Sequence, residues 1–159
     1  MNAEEETRIN LIEALIHEKR RTSLAHTQFL SCNREYAPGE QLHMREVHLV
    51  VAIGPGPGKT MSELAELLEV TRGAVTQLAG RMEKKGYIIR IQSPEDRRQI
   101  LAQLTDKGEA LCRSHHSYDH TVYQKISRLL SDFSDEELVK IREYERLSRI
   151  CFTENPDNY

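Results

Sequence analysis

No run of apolar residues in the 159-residue chain approaches the ~18 that a membrane helix needs. A membrane partner is therefore not expected. The opening residues Met1-Asn2-Ala3-Glu4-Glu5-Glu6 are acidic and lack an apolar core, so a secretory or transit segment is not expected either. Cysteine is scarce: Cys32, Cys112 and Cys151 are odd in number and far apart, the pattern of free thiols in a reducing compartment. The expected location is cytoplasmic. There is no internal repeat and no low-complexity segment. The histidines have no serine or cysteine nucleophile at a recognisable spacing, so no enzyme is expected. What is present, 38% hydrophobic and 30% charged residues, suits a globular, helix-rich chain with length for one core.

The net charge of −3 is unevenly spread. Val70 to Ile100 holds seven Arg and Lys against three Asp and Glu, a local +4 that leaves −7 on the remainder. A basic segment in an acidic chain places a polyanion at that segment, although a solvated charged surface accounts for charge alone.

Periodicity divides the chain into helices and one hairpin. Glu4 to about Ser31 reads as a long helix, with Ile9, Ile12 and Ile16 at helical spacing. Tyr36-Ala37-Pro38-Gly39 is a breaker. A second helix is expected from about Gln41 to Ile53, burying Val47, Val50 and Val51. Gly54-Pro55-Gly56-Pro57-Gly58 ends it. Thr60 and Glu63 fit a capping box for a short helix whose apolar face is Leu64, Ala65, Leu67 and Leu68. Glu69-Val70 reads as a turn and Thr71 as the next N-cap. The following helix carries Val75, Leu78, Ala79 and Met82 on one stripe, and Gly86 stops it.

Tyr87-Ile88-Ile89-Arg90-Ile91 and Gln99 to Leu104 then read as two strands around a polar turn. Thr105-Asp106 starts a long helix to about Leu130, with Leu111, Tyr118, Val122, Ile126 and Leu129 on one face. Ser134 and Glu137 fit a capping box for a last helix, and the tail from Glu154 is expected to fray. The fold class expected is mainly α with a small β-hairpin wing. A winged helix-turn-helix lobe spans 41–104 within a single domain of 1–159, and helices at 1–32 and 106–153 form a dimer interface.

On the second helix of the turn motif, Arg72, Gly73, Thr76, Gln77, Gly80, Arg81 and Lys84 lie opposite the apolar stripe. Arginine can pair bidentately with guanine and glutamine with adenine. Gly73 and Gly80 cost the helix roughly 1 kcal/mol each relative to alanine, a cost with little reason on an ordinary solvent face; the reading is that they allow close approach to a duplex. At the hairpin tip Asp96, Arg97 and Arg98 supply a wing that lays arginine in a minor groove, with Asp96 placed to hold a guanidinium.

Met61-Ser62-Glu63-Leu64-Ala65, Val70 to Thr76, Lys84-Lys85-Gly86-Tyr87-Ile88, Asp96-Arg97-Arg98 and Leu104-Thr105-Asp106-Lys107-Gly108 resemble the MarR family of bacterial regulators in order and spacing. The resemblance implies a homodimer with both terminal helices at the interface. It also implies binding to double-stranded DNA at a palindromic operator, usually as a repressor. By motif, Thr71 to Arg81 would read the major groove, and Asp96 and Arg98 would occupy the wing positions.

Seven histidines suggest a sensing site. His116 and His120 have the spacing that lets two imidazoles share one metal, with His115 beside them. In such a fold they would converge with His48 and Glu46 on the second helix and with His26 and Cys32 near the end of the first. Some zinc-sensing members of the family resemble this arrangement. Here, however, Glu46-Val47-His48 stands in place of an adjacent Glu-His pair, and the loop after Cys32 differs in length. The expectation is zinc or another divalent transition metal held by His26, His48, His116 and His120, with Cys32, Glu46 and His115 as further candidates. Solvated histidines, or a small organic effector in the same crevice, remain open.

Two other function classes are weighed. Leu49 to Ile53 followed by Gly54 to Thr60 imitates a strand entering a phosphate loop. The glycine required four residues before Gly-Lys-Thr is Ile53, however, and Pro55 and Pro57 remove amide donors. The other class is a helical dimerisation module whose basic segment meets an acidic partner other than DNA.

Overall fold

The helical stop at Ser31 and the breaker near Gly39 form a hairpin. The computed structural model describes residues 2–37 and 39–154. Its first helix, α1 (Ala3–Ser31), starts at a capping box between Asn2 and Glu5 and ends at Cys32. Strand β1 (Asn33–Ala37) then pairs antiparallel with β2 (Glu40–His43), Arg34 facing Leu42. Pro38 of the predicted breaker lies outside the described residues, as do residues 155–159 of the tail. The second helix, α2 (Met44–Ile53), starts three residues later than predicted. Gln41 to His43 are drawn into the β1–β2 ladder, and His43 becomes the N-cap, with Glu46 completing its capping box.

A two-residue strand, β3 (Lys59–Thr60), precedes α3 (Met61–Leu67), which keeps the predicted Thr60–Glu63 box. Its buried residues are Met61 and Leu64. Leu67, expected on the apolar face, is exposed because the helix points it away from the core. The turn to α4 (Arg72–Lys84) passes through Glu69, whose φ of 52° is the one positive value at a described non-glycine residue. Thr71 caps α4 through the Ala74 N–H, and Gly86, at φ 76°, turns the chain into β4 (Ile88–Gln92).

Strand β5 (Ile100–Leu104) lies between β4 and β3, so the wing has three strands where the sequence suggested two. The chain next enters α5 (Asp106–Leu129), whose start is capped by Thr105 accepting from the Gly108 N–H. It ends with α6 (Asp135–Glu154), started by Ser134, whose hydroxyl accepts from the Glu137 N–H.

Two compact units result, residues 1–116 and 117–159. In the first, the predicted stripe Val75, Leu78, Ala79 and Met82 of α4 packs with Val47, Leu49, Val50 and Ile53 of α2, Leu64 of α3 and Ile88 of the wing. Burying one such aliphatic side chain is worth about 1.5–3 kcal/mol, so this core fixes the angle between α4 and the wing. Helix α1 belongs to this unit yet buries none of its residues. In the second unit Tyr123, Ile126, Phe133 and Leu138, with Ser127, Ser131 and Asp135, line an open hollow of mixed polarity. No described helix is long and apolar enough to cross a membrane.

Candidate nucleic-acid interface

Helix α4 presents the face the sequence predicted. Arg72, Gly73, Thr76, Gln77, Arg81 and Lys84 are exposed, while the stripe behind them is buried. A methyl group built on Gly73 would meet nothing within 4 Å, so open space surrounds that point. The Thr76 hydroxyl donates to the Arg72 carbonyl at 2.8 Å. That bond leaves its oxygen lone pairs and its methyl for an outside partner. Gly80 differs from the expectation: a methyl there would come within 3.4 Å of Arg90 Nη2. The space it leaves is filled by the wing arginine, which reaches Glu83 through Nη2 at 2.6 Å and Nε at 2.8 Å.

The wing tip is built by its own polar side chains. Ser93 is buried, and its hydroxyl accepts from the Glu95 and Asp96 N–H groups, each at 3.3 Å. Asp96 was expected to hold a guanidinium. Instead its carboxylate accepts from the Arg98 N–H at 2.9 Å and from Gln99 Nε2 at 3.2 Å. The reason is local: a carboxylate two residues before an N–H closes an Asx-type turn. Asp96 thereby shapes the loop and, among the described residues, forms no ion pair with Arg97 or Arg98. Ser93 was missed, although Ser-Pro is a turn-starting signal.

Eight cations at this face and beside it fall into two groups. Arg81, Lys85, Arg90 and Lys107 are paired with Glu46, Glu46, Glu83 and Glu40. Arg72, Lys84, Arg97 and Arg98 carry no ion pair among the described residues. Arg72 and Arg98, from α4 and the wing, flank one open cleft of about 380 Å³ with Thr60, Ser62 and Gln99 on its walls. Like charges facing across a gap raise the local potential and favour an anion between them. Arg81, assigned to the reading face by sequence, therefore reaches back to α2 through its Nε.

Glu46 is the buried centre of that contact. Burial alone would raise its carboxyl pKa, but hydrogen bonds from Lys85 and the His43 N–H, and the charges of Lys85 and Arg81, together hold it below the usual range. Nearby, Tyr87 donates its hydroxyl to Glu40, and Lys107 also bonds Glu40. Burial, then the Glu40 hydrogen bond, pushes the Tyr87 hydroxyl well above the phenol range, so it remains a donor. These links join the β1–β2 hairpin, the end of α4 and the start of α5.

The histidines are placed differently from the expected metal set. His115, a lesser candidate, is buried; His116 and His120 are exposed, because the phase of α5 turns 111, 112 and 115 inward. His115 Nδ1 lies 3.3 Å from the Tyr36 hydroxyl, and its ring centroid is 5.6 Å from that of His48. His26 stacks on Phe29 in its own helix, and the exposed Cys32 thiol donates to the Gln28 carbonyl. Glu46 is committed to Arg81 and Lys85. Among the described residues no three His, Cys, Asp or Glu side chains gather as a metal would require. The donor set does not fit a metal as arranged.

The lysine of the phosphate-loop imitation is also accounted for. Lys59 Nζ donates to the Ile53 carbonyl at the end of α2 and so satisfies a helix terminus.

Comparison with known proteins agrees with this geometry. A model of the MarR family matches residues 41–99. The HTH-type transcriptional regulator YhjH of Bacillus subtilis (strain 168) is 23% identical over 141 residues, 84% of this chain and 81% of that protein. The multiple antibiotic resistance protein MarR of Escherichia coli (strain K12) is 33% identical over 73 residues, 45% of this chain; the match spans 51% of that protein, about half its length. Among solved structures, Streptococcus pneumoniae FabT in complex with DNA is 28% identical with a TM-score of 0.62, covering 92% of this chain and 96% of that one. Family and relatives are transcriptional regulators and not enzymes. With the three-stranded wing, the capped α3–α4 pair and these likenesses together, residues 41–99 match the MarR family and the chain is similar in fold to winged helix-turn-helix regulators of that family.

Proposed function

We propose that the chain is a DNA-binding transcriptional regulator that acts as a homodimer on a palindromic operator, as a repressor under effector control. The observation that carries this reading is the division of cations: among the described residues Arg72, Lys84, Arg97 and Arg98 stand without ion pairs on α4 and the wing, while Arg81, Lys85 and Arg90 beside them are paired with carboxylates. Arg72, Thr76 and Gln77 supply the base-reading chemistry of a major-groove helix. Arg97 and Arg98 supply the wing's contact with phosphate or the minor groove.

The dimer is supported by α1, whose Ile9, Ile12, Leu15 and Ile16 are each about half exposed on a helix with nothing buried. Exposed apolar rows of this size mark an interface, and a second copy of the same chain gives a two-fold reader for a two-fold site. Effector control is supported by a cavity of about 220 Å³ lined by Leu30, Arg45, His48, Leu68, Val70 and Leu78. It touches α1, α2 and the helix-turn-helix, so a small apolar anion seated there would bind one DNA-binding state better than another.

Selection of tight binders from random duplexes tests the reading. The enriched sequences should be inverted repeats, bound about 10³-fold or more tighter than unselected DNA. A library returned without enrichment ends it.

A further inference from the structure

Glu46 is an acid placed among the aliphatic residues of α2, and only 5% of it is exposed. Its Oε2 accepts from Lys85 Nζ at 2.7 Å and from the His43 N–H at 3.1 Å, and its Oε1 lies 3.4 Å from Arg81 Nε. One carboxylate therefore serves two cations from the C-terminal turn of α4. Arg81 is four residues after Gln77, on the row of the helix that also carries Gly73. Without Glu46 that turn would offer Arg81, Lys84 and Lys85 together to any polyanion.

Free cations grip every phosphate backbone alike, since each neutralised phosphate releases counterions whatever the base sequence. Sequence is read by base-edge contacts, which lie toward the N-terminal half of such a helix. We infer that Glu46 is a positioning residue that withdraws Arg81 and Lys85 from indiscriminate backbone contact and so leaves discrimination to Arg72, Thr76 and Gln77. This rests on the reading of α4 as the helix that faces DNA. It assigns Glu46 to specificity rather than to a metal.

The competing role is purely structural, as the N3 partner of His43 in the α2 capping box. Glu46→Gln separates the two, because glutamine keeps an oxygen for the His43 N–H and removes only the charge. Affinity for a selected duplex and for a random duplex is measured against salt. The variant should bind random DNA about five- to tenfold tighter at low salt, with a salt slope steeper by about 0.9 for each of the two cations that gains a phosphate contact. Its ratio of selected to random affinity should fall about fivefold or more. Adding Arg81→Gln and Lys85→Gln to Glu46→Gln should return the slope to that of the wild type. A Glu46→Gln protein with the parent slope and ratio, changed only in melting temperature, overturns the assignment.

Should Glu46→Gln not fold, Arg81→Gln alone decides. Removing an already paired cation should leave the random-duplex slope nearly unchanged, whereas Arg98→Gln should lower it by about 0.9. Equal losses from both overturn the inference. A wild type with no salt-dependent duplex binding sinks the DNA reading itself, and this inference with it.

Discussion

Gly108 stands so close to the Tyr87 backbone that a methyl group on it would sit 2.1 Å from the Tyr87 carbonyl oxygen. That carbonyl also accepts from the Thr105 N–H at 3.1 Å, so the first turn of α5 is docked directly on the chain leaving α4. Backbone cannot yield as a flexible side chain can. Gly108→Ala should cost about 3 kcal/mol, which lowers the melting temperature by roughly 6–12 °C in a chain of this size. Thermal unfolding at neutral pH checks it.

The hydrogen bonds to Glu40 make stability depend on pH. Lys107, then Tyr87, hold its carboxyl below the ordinary 4.5. A carboxylate whose folded pKa is depressed adds stability that is fully present above 4.5 and is lost as pH falls through the folded value. Urea midpoints should therefore drop below pH 4.5. Glu40→Gln should be less stable than the parent at pH 7 and should lose less on acidification. Parallel curves for the two proteins would contradict this.

Arg72→Ala should weaken a selected duplex by about 10- to 100-fold and relax the preference at one base position, as loss of a base-edge pair does. Arg98→Ala should weaken selected and random duplexes alike and reduce the salt slope by about 0.9. Anisotropy titrations on both duplexes distinguish the two patterns.

Ser93 holds two N–H groups of the wing tip. Ser93→Ala removes both bonds and should cost about 1–2 kcal/mol locally. DNA affinity should fall severalfold while the melting temperature hardly moves, because the tip lies outside the core cluster. Faster hydrogen exchange at Glu95 and Asp96 reports the loosening.

Ile12→Glu with Ile16→Glu places charge on the exposed row of α1. Sedimentation should show a shift from dimer to monomer, and affinity for an inverted repeat should collapse while circular dichroism of the helix-turn-helix is retained. A variant that remains dimeric shows that this row is not the interface.

Features set within a few residues were readable in advance. The Thr60–Glu63 and Ser134–Glu137 boxes, the Thr71 cap and the left-handed Gly86 stand where local chemistry required them. Contacts between distant residues were not readable. Gln41 to His43 extend helical patterning, yet a ladder to Asn33–Glu35 makes them strand. Lys59 and Thr60 are a strand only because β5 lies beside them. In the interface, the exposed Arg72, Thr76 and Gln77 followed from the buried stripe opposite. The capture of Arg81 by Glu46, the filling of the Gly80 space by Arg90 and the inward turn of His115 depended on packing across elements.

The third strand of the wing has a mechanical consequence. Because Lys59 and Thr60 are laced to β5, and Lys59 also grips the end of α2, the wing is braced from behind. An arginine carried on a braced ribbon meets a narrow groove and a wide one with the same reach. The work of fitting falls on the duplex, and stretches that narrow easily should be favoured at positions no side chain touches.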